Sequence, residues 1–179
     1  MPTILTHTAV PLAMYLASGR GRVSPRLLAA GVVAAMLPDA DVVAFALRIP
    51  YADAFGHRGA SHSLLFALLV AALGACAAKP LRSNPLQAMA WLFVCTASHP
   101  LLDAMTSGGL GVALAWPWRD TRWFAPWRPI RVSPIGAGFF SARGIETLFS
   151  ELRWVWLPLF AGAGAWKLIN RKPGHPLPH

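Results

Sequence analysis

His99-Pro100-Leu101-Leu102-Asp103 sets an imidazole and a carboxylate four residues apart. On a helix these positions share one face, so both groups can grip one ion. His57-Arg58-Gly59-Ala60-Ser61-His62-Ser63 offers two more imidazoles, and Gly59 permits the turn that brings both to one site. Arg58 could clamp an anionic substrate, since a guanidinium pairs bidentately with phosphate; a lipid-headgroup contact is the alternative. Ser61 is expected to cap the helix that follows. Pro38-Asp39-Ala40-Asp41 supplies two carboxylates without a basic neighbour in sequence. Asp39 reads as an oxygen ligand and Asp41 as a general base, against the alternative of a plain turn at the membrane surface. His7 gains weight only beside the other sites, and Glu151 reads as a further ligand, an acid or a solvated helix start. Together these types suit hydrolysis at a divalent metal, which acidifies bound water toward a pKa of about 7. The candidate ligands His7, Asp39, His57, His62, His99 and Asp103 exceed the four usual for one zinc, so one or two ions are expected.

Other chemistries lack their residues. There is no Ser nucleophile elbow, P-loop or GxGxxG. Cys76 and Cys95 lie inside apolar runs without a neighbouring base and read as small buried hydrophobes.

The elements that must position these groups are apolar. Of 179 residues 55% are hydrophobic and 13% charged, against about 25% charged in a soluble domain. The net charge is +9, but the basic residues sit between apolar runs, where anionic headgroups would meet them. Direct nucleic-acid binding is therefore not expected. Five apolar segments stand out, at residues 4–17, 27–47, 62–78, 86–105 and 154–169. A spanning helix needs about 17 to 25 apolar residues, so the last four can span and the first is a short N-terminal helix. The expected architecture is an all-α, multi-pass membrane bundle with about four spanning helices in one domain, residues 1–172. Residues 107–153, rich in Trp and Arg, are expected to form an interfacial lid, and 173–179 a disordered tail. Alternating helix direction carries His7, Asp39, Asp41, His57, His62, His99 and Asp103 toward one side of the bilayer. Ionisable residues at such depth are costly, which favours a functional reading.

An early His, then Leu37-Pro38-Asp39-x-Asp41, His57-Arg58-Gly59-x-Ser61-His62-Ser63 and His99-Pro100-x-x-Asp103, resembles a bacterial inner-membrane-associated, LexA-binding family of metal-dependent hydrolases. The resemblance continues through Pro129-Ile130-Arg131, Ser150-Glu151 and Trp154-Val155-Trp156-Leu157-Pro158. It implies the bacterial inner membrane, a metal-dependent hydrolase and a LexA-like regulator as partner. The order His, Asp, His, then HxxxD is also similar to that of zinc-dependent phospholipase C, though further downstream His ligands are missing here. The expected function is metal-dependent, zinc-type hydrolysis of a phosphoester such as a phospholipid, with membrane lipid as the other partner. The rivals are an ion or proton transporter using intramembrane His and Asp, and a membrane protein that sequesters a regulator.

Overall fold

The computed structural model describes residues 1–134 and 136–170, so the expected tail at 173–179 lies outside the described residues. Among the described residues there are eight α-helices: α1 (Ile4–His7), α2 (Ala9–Ser18), α3 (Pro25–Met36), α4 (Val43–Ala46), α5 (Leu64–Cys76), α6 (Pro85–Ala104), α7 (Ala142–Glu151) and α8 (Leu157–Ile169). Among the described residues there is no strand, only the isolated bridges Thr106–Ile130 and Val112–Trp123.

Local sequence explains where the helices start and break. Ser24 and Asn84 cap α3 and α6 through the amides of Leu27 and Gln87, each followed by a proline that needs no donor in the first turn. Pro11 has no N–H to return to the His7 carbonyl, which accounts for the break at Thr8 between α1 and α2. The cap of α5 is Ser63, whose hydroxyl accepts from Phe66 N at 3.0 Å, and not Ser61. The Ser61 hydroxyl instead donates to Asp41, so residues Ala60–His62 form a 3-10 turn ahead of the helix. Pro100 sits inside α6, and the helix runs past it to Ala104.

α6 is the central helix. It packs against α5 and α3 and also touches α1 and α2, while α2 pairs with α8. Val23, Leu27, Ala35, Ala88, Trp91, Leu92 and Cys95 form the main core. Small residues permit the close approach. A Cβ on Gly31 would stand 2.3 Å from Trp91 Nε1, and one on Gly74 2.2 Å from Leu92 Cδ1. Small residues at helix crossings are how membrane helices gain packing without a hydrophobic drive between them.

The outer surface is apolar. Leu68, Leu69 and Leu73 on α5 are more than half exposed. α7 turns Ile145 and Phe149 outward and buries Gly144, Thr147 and Glu151, the reverse of a soluble surface helix. The expectation of four spanning helices is not met by helix length and hydropathy. Among the described residues one helical run, Pro25–Ala46, is long and apolar enough to cross a membrane. α5 has 13 residues because its apolar segment spends its first two positions on the 3-10 turn and the Ser63 cap. α6 has 20, diluted by polar residues that include His99 and Asp103.

Candidate metal centre

The end of α3, the start of α5, the end of α6 and α1 meet at one end of the bundle. The 3-10 turn Leu37–Val42 after α3 brings in Asp39, and the turn before α5 brings in His62. His99 and Asp103 come from one face of α6, as their spacing requires, and His7 ends α1. All five are buried. Ligand atoms of Asp39, His62, His99 and Asp103 lie within 4.8 Å of one another.

The distances resemble those of a coordination shell. His62 Nε2 is 3.1 Å from His99 Nε2 and 3.3 Å from Asp103 Oδ2; His99 Nε2 is 3.3 Å from Asp39 Oδ1. A tetrahedral zinc with bonds of ~2.0 Å would separate its ligands by roughly 3.3 Å. His62 Nε2 to Asp39 Oδ1 is longer, at 3.9 Å.

Partners on the far side of each ring set the tautomers. His99 Nδ1 donates to the Ala35 carbonyl at 2.7 Å, which leaves Nε2 as a lone pair. His62 Nδ1 faces Asp41 Oδ2 at 3.1 Å and Ser61 Oγ at 3.0 Å, so the neutral ring also turns its Nε2 lone pair toward His99. Two lone pairs facing each other at 3.1 Å repel unless a cation lies between them. Both oxygens of Asp39 and of Asp103 are buried without a hydrogen bond, a costly state that a metal would relieve. The donor set, two imidazoles and two carboxylates, therefore fits a divalent ion. His7 stacks on His99 with ring centroids 3.6 Å apart. Its Nε2 is 3.8 Å from Asp39 and 3.7 Å from Asp103, as a further imidazole beside the tetrad.

The remaining predicted residues surround this core. Asp41 accepts from His57 Nδ1 at 2.5 Å, the Arg58 amide at 2.9 Å and the Ser61 hydroxyl at 2.6 Å, besides facing His62. With its oxygens so engaged it orients two imidazoles. His57 joins Asp39 and Asp41 in a second possible ligand group, but its Nδ1 is already held by Asp41. Arg58 is fully buried, with its Nε 2.9 Å from Asp103 Oδ2 as an ion pair off the line of a hydrogen bond. Its terminal nitrogens donate to Gly108 O at 3.1 Å and Thr106 Oγ1 at 3.2 Å. Glu151 stands outside both ligand groups. It accepts from Thr3 N at 2.5 Å, Thr3 Oγ1 at 2.6 Å and Thr6 Oγ1 at 2.7 Å, and so anchors the segment that carries His7.

Several supporting residues have no sequence signal. Thr106 and the carbonyl of Ala35 are ordinary residues until the fold brings them in. Arg122 is another: its guanidinium donates to the carbonyls of His57, Tyr51 and Asp53, each at 2.9 Å, and pins the loop before His62. Gly109, at φ +90°, lets Arg58 pass: a Cβ there would be 2.7 Å from Arg58 Nη1. Partners that orient metal-binding imidazoles are worth about 10- to 100-fold in affinity. Asp41→Asn is accordingly expected to weaken zinc binding by about that factor, read by competition with a chelating dye. Unchanged affinity with lost turnover would return Asp41 to the role of general base.

Residues 1–172 match the family described as YdjM inner membrane protein. The chain is also 46% identical over 160 residues to Inner membrane protein YbcI of Escherichia coli (strain K12), covering 88% of this chain and 92% of that relative. No solved structure matches. The protein belongs to the YdjM inner membrane protein family.

Proposed function

We propose that Asp39, His62, His99 and Asp103 hold one divalent ion, zinc by donor set and spacing, and that the protein is a membrane-embedded metal-dependent hydrolase of phosphoesters. The observation that carries this reading is the convergence of His62 Nε2 and His99 Nε2, 3.1 Å apart, beside two buried carboxylates whose oxygens accept no hydrogen bond. The outward leucines of α5 and the outward apolar face of α7 support placing α5, α6 and α8 in the bilayer beside the Pro25–Ala46 run, with α7 at its surface. Clustering of the ionisable groups at one end of the bundle supports a site rather than a path across it.

Hydrolysis of a phosphoester joins a water oxygen to phosphorus, breaks the ester P–O bond and passes a proton to the leaving oxygen. A divalent ion supplies an acidified water and polarises a phosphoryl oxygen. The chain supplies the rest. Asp39 and Asp103 provide the negative charge that retains a cation, Asp41 and Ala35 O orient the imidazoles, and the apolar surroundings exclude bulk water.

The test is a panel of phosphomonoesters and phosphodiesters offered to zinc- or manganese-loaded protein in lipid nanodiscs. Turnover is expected, and its loss in Asp39→Ala. A metal-loaded protein inert across the panel, lipid and soluble substrates alike, would overturn the reading.

A further inference from the structure

Among the cavities described, one of ≈ 550 Å³ reaches the ligand tetrad, and it does so at Asp39. Its other walls are largely apolar, with Ile4, Leu5, Val42, Pro134 and Phe139 prominent and the small polar side chains of Thr3 and Ser133 beside them. Met1 and Pro2 complete the lining, and among the described residues no Lys or Arg side chain joins them. A nucleotide, sugar phosphate or peptide would find few partners for its polar groups in such a cleft. Its rim is exposed and apolar. Ile4, Leu5 and Val42 are 43%, 58% and 43% exposed, and Val42 belongs to the Pro25–Ala46 run that is apolar and long enough to cross a bilayer.

We infer that this cleft takes an acyl chain of a membrane phospholipid, which enters sideways from the bilayer and brings its phosphate to Asp39. The inference rests on the proposed metal-dependent hydrolysis for its chemistry, but the binding of the chain stands by itself. The chain comes from an apolar bilayer, so its seating gains close packing against the cleft walls and no water-transfer free energy. The headgroup phosphate supplies the negative charge that suits a cation held by the tetrad.

The probe is a phosphatidic acid carrying a photoactivatable diazirine on its acyl chain, mixed into phosphatidylcholine nanodiscs that hold the full chain. Adducts are mapped by mass spectrometry, and bound metal is measured on the same samples. Labelling is expected at Leu5, Val42 and Phe139. Leu5→Trp, whose added ring occupies the mouth of the cleft, is expected to abolish most of that labelling by excluding the chain. Leu68→Trp, on the outer face of α5, serves as the control and should leave it intact. Adducts confined to the outer leucines of α5, or cleft labelling indifferent to Leu5→Trp, would overturn the inference. Metal bound without cleft labelling removes the acyl-chain site alone, and cleft labelling without metal removes the hydrolase reading alone.

Discussion

Replacing His99 and Asp103 together by alanine is expected to abolish stoichiometric divalent-metal binding, measured by elemental mass spectrometry on detergent-purified protein. The wild type is expected to carry about one equivalent of zinc after loading, the occupancy of a single four-ligand site. The double variant keeps two of the tetrad's ligands, Asp39 and His62, with His7 nearby. His7 stays beside them, its Nε2 3.8 Å from Asp39, so weak residual binding is expected in place of stoichiometric occupancy. The variant should still fold, since neither side chain contributes to the apolar core built around Trp91, Leu92 and Cys95. Loss of Asp103 leaves the buried Arg58 guanidinium without its ion-pair partner, so a lower melting temperature is expected and metal content is measured on the folded fraction. The variant's melting temperature should no longer rise appreciably with zinc, whereas that of the wild type should, by the free energy of binding to the folded state alone. Zinc retained at one equivalent in the double variant would move the site elsewhere, and the Asp39, Asp41 and His57 group would be the place to look.

Much of the buried His/Asp cluster is legible in the sequence because of where its residues fall. Histidine and aspartate inside apolar segments are costly, so their presence was itself a signal, and the four-residue spacing of His99 and Asp103 put both on one face of α6. Alternating helix direction then sufficed to predict that residues from α1, α3, α5 and α6 converge. What stayed hidden depends on contacts across long stretches of chain. Glu151 reaches Thr3 from 148 positions away, and Arg122 reaches the Tyr51 carbonyl from 71. No local pattern records either. The cap of α5 was misplaced because Ser61 and Ser63 are equivalent by local pattern, and only the position of Asp41 draws the Ser61 hydroxyl away. The number of spanning helices is legible only in part for a related reason: among the described residues Pro25–Ala46 alone has the length and hydropathy to cross. An apolar window counts residues without knowing that the chain spends some on a turn and a cap before the helix begins.

Arg58→Met is expected to destabilise the metal-free protein by about 3–5 kcal/mol, the cost of leaving a buried charge without its partner. The charge in question is Asp103, whose Oδ2 lies 2.9 Å from Arg58 Nε with both side chains fully buried. The backbone at Arg58 shows how firmly the position is determined. It lies in the left-handed region at φ 63°, a conformation that non-glycine residues keep only where surrounding contacts enforce it. The enforcing contacts are present: its amide donates to Asp41 Oδ2, its carbonyl accepts from Ala113 N at 3.0 Å, and its guanidinium reaches Gly108 O and Thr106. Arg58→Lys should rescue little, because a single ammonium cannot meet Asp103, Gly108 O and Thr106 in the planar arrangement of a guanidinium. Metal changes the expected loss in a direction that identifies the mechanism. A divalent ion at the tetrad partners Asp103 in place of the arginine and is relieved of a positive neighbour. The melting temperature of Arg58→Met should therefore fall less with saturating zinc than without it. An equal fall in both conditions would mean that Arg58 stabilises the loop alone and does not act through Asp103. If Arg58 were instead a clamp for the substrate phosphate, Arg58→Met would fold and bind zinc as the wild type does, and would differ only in a raised KM.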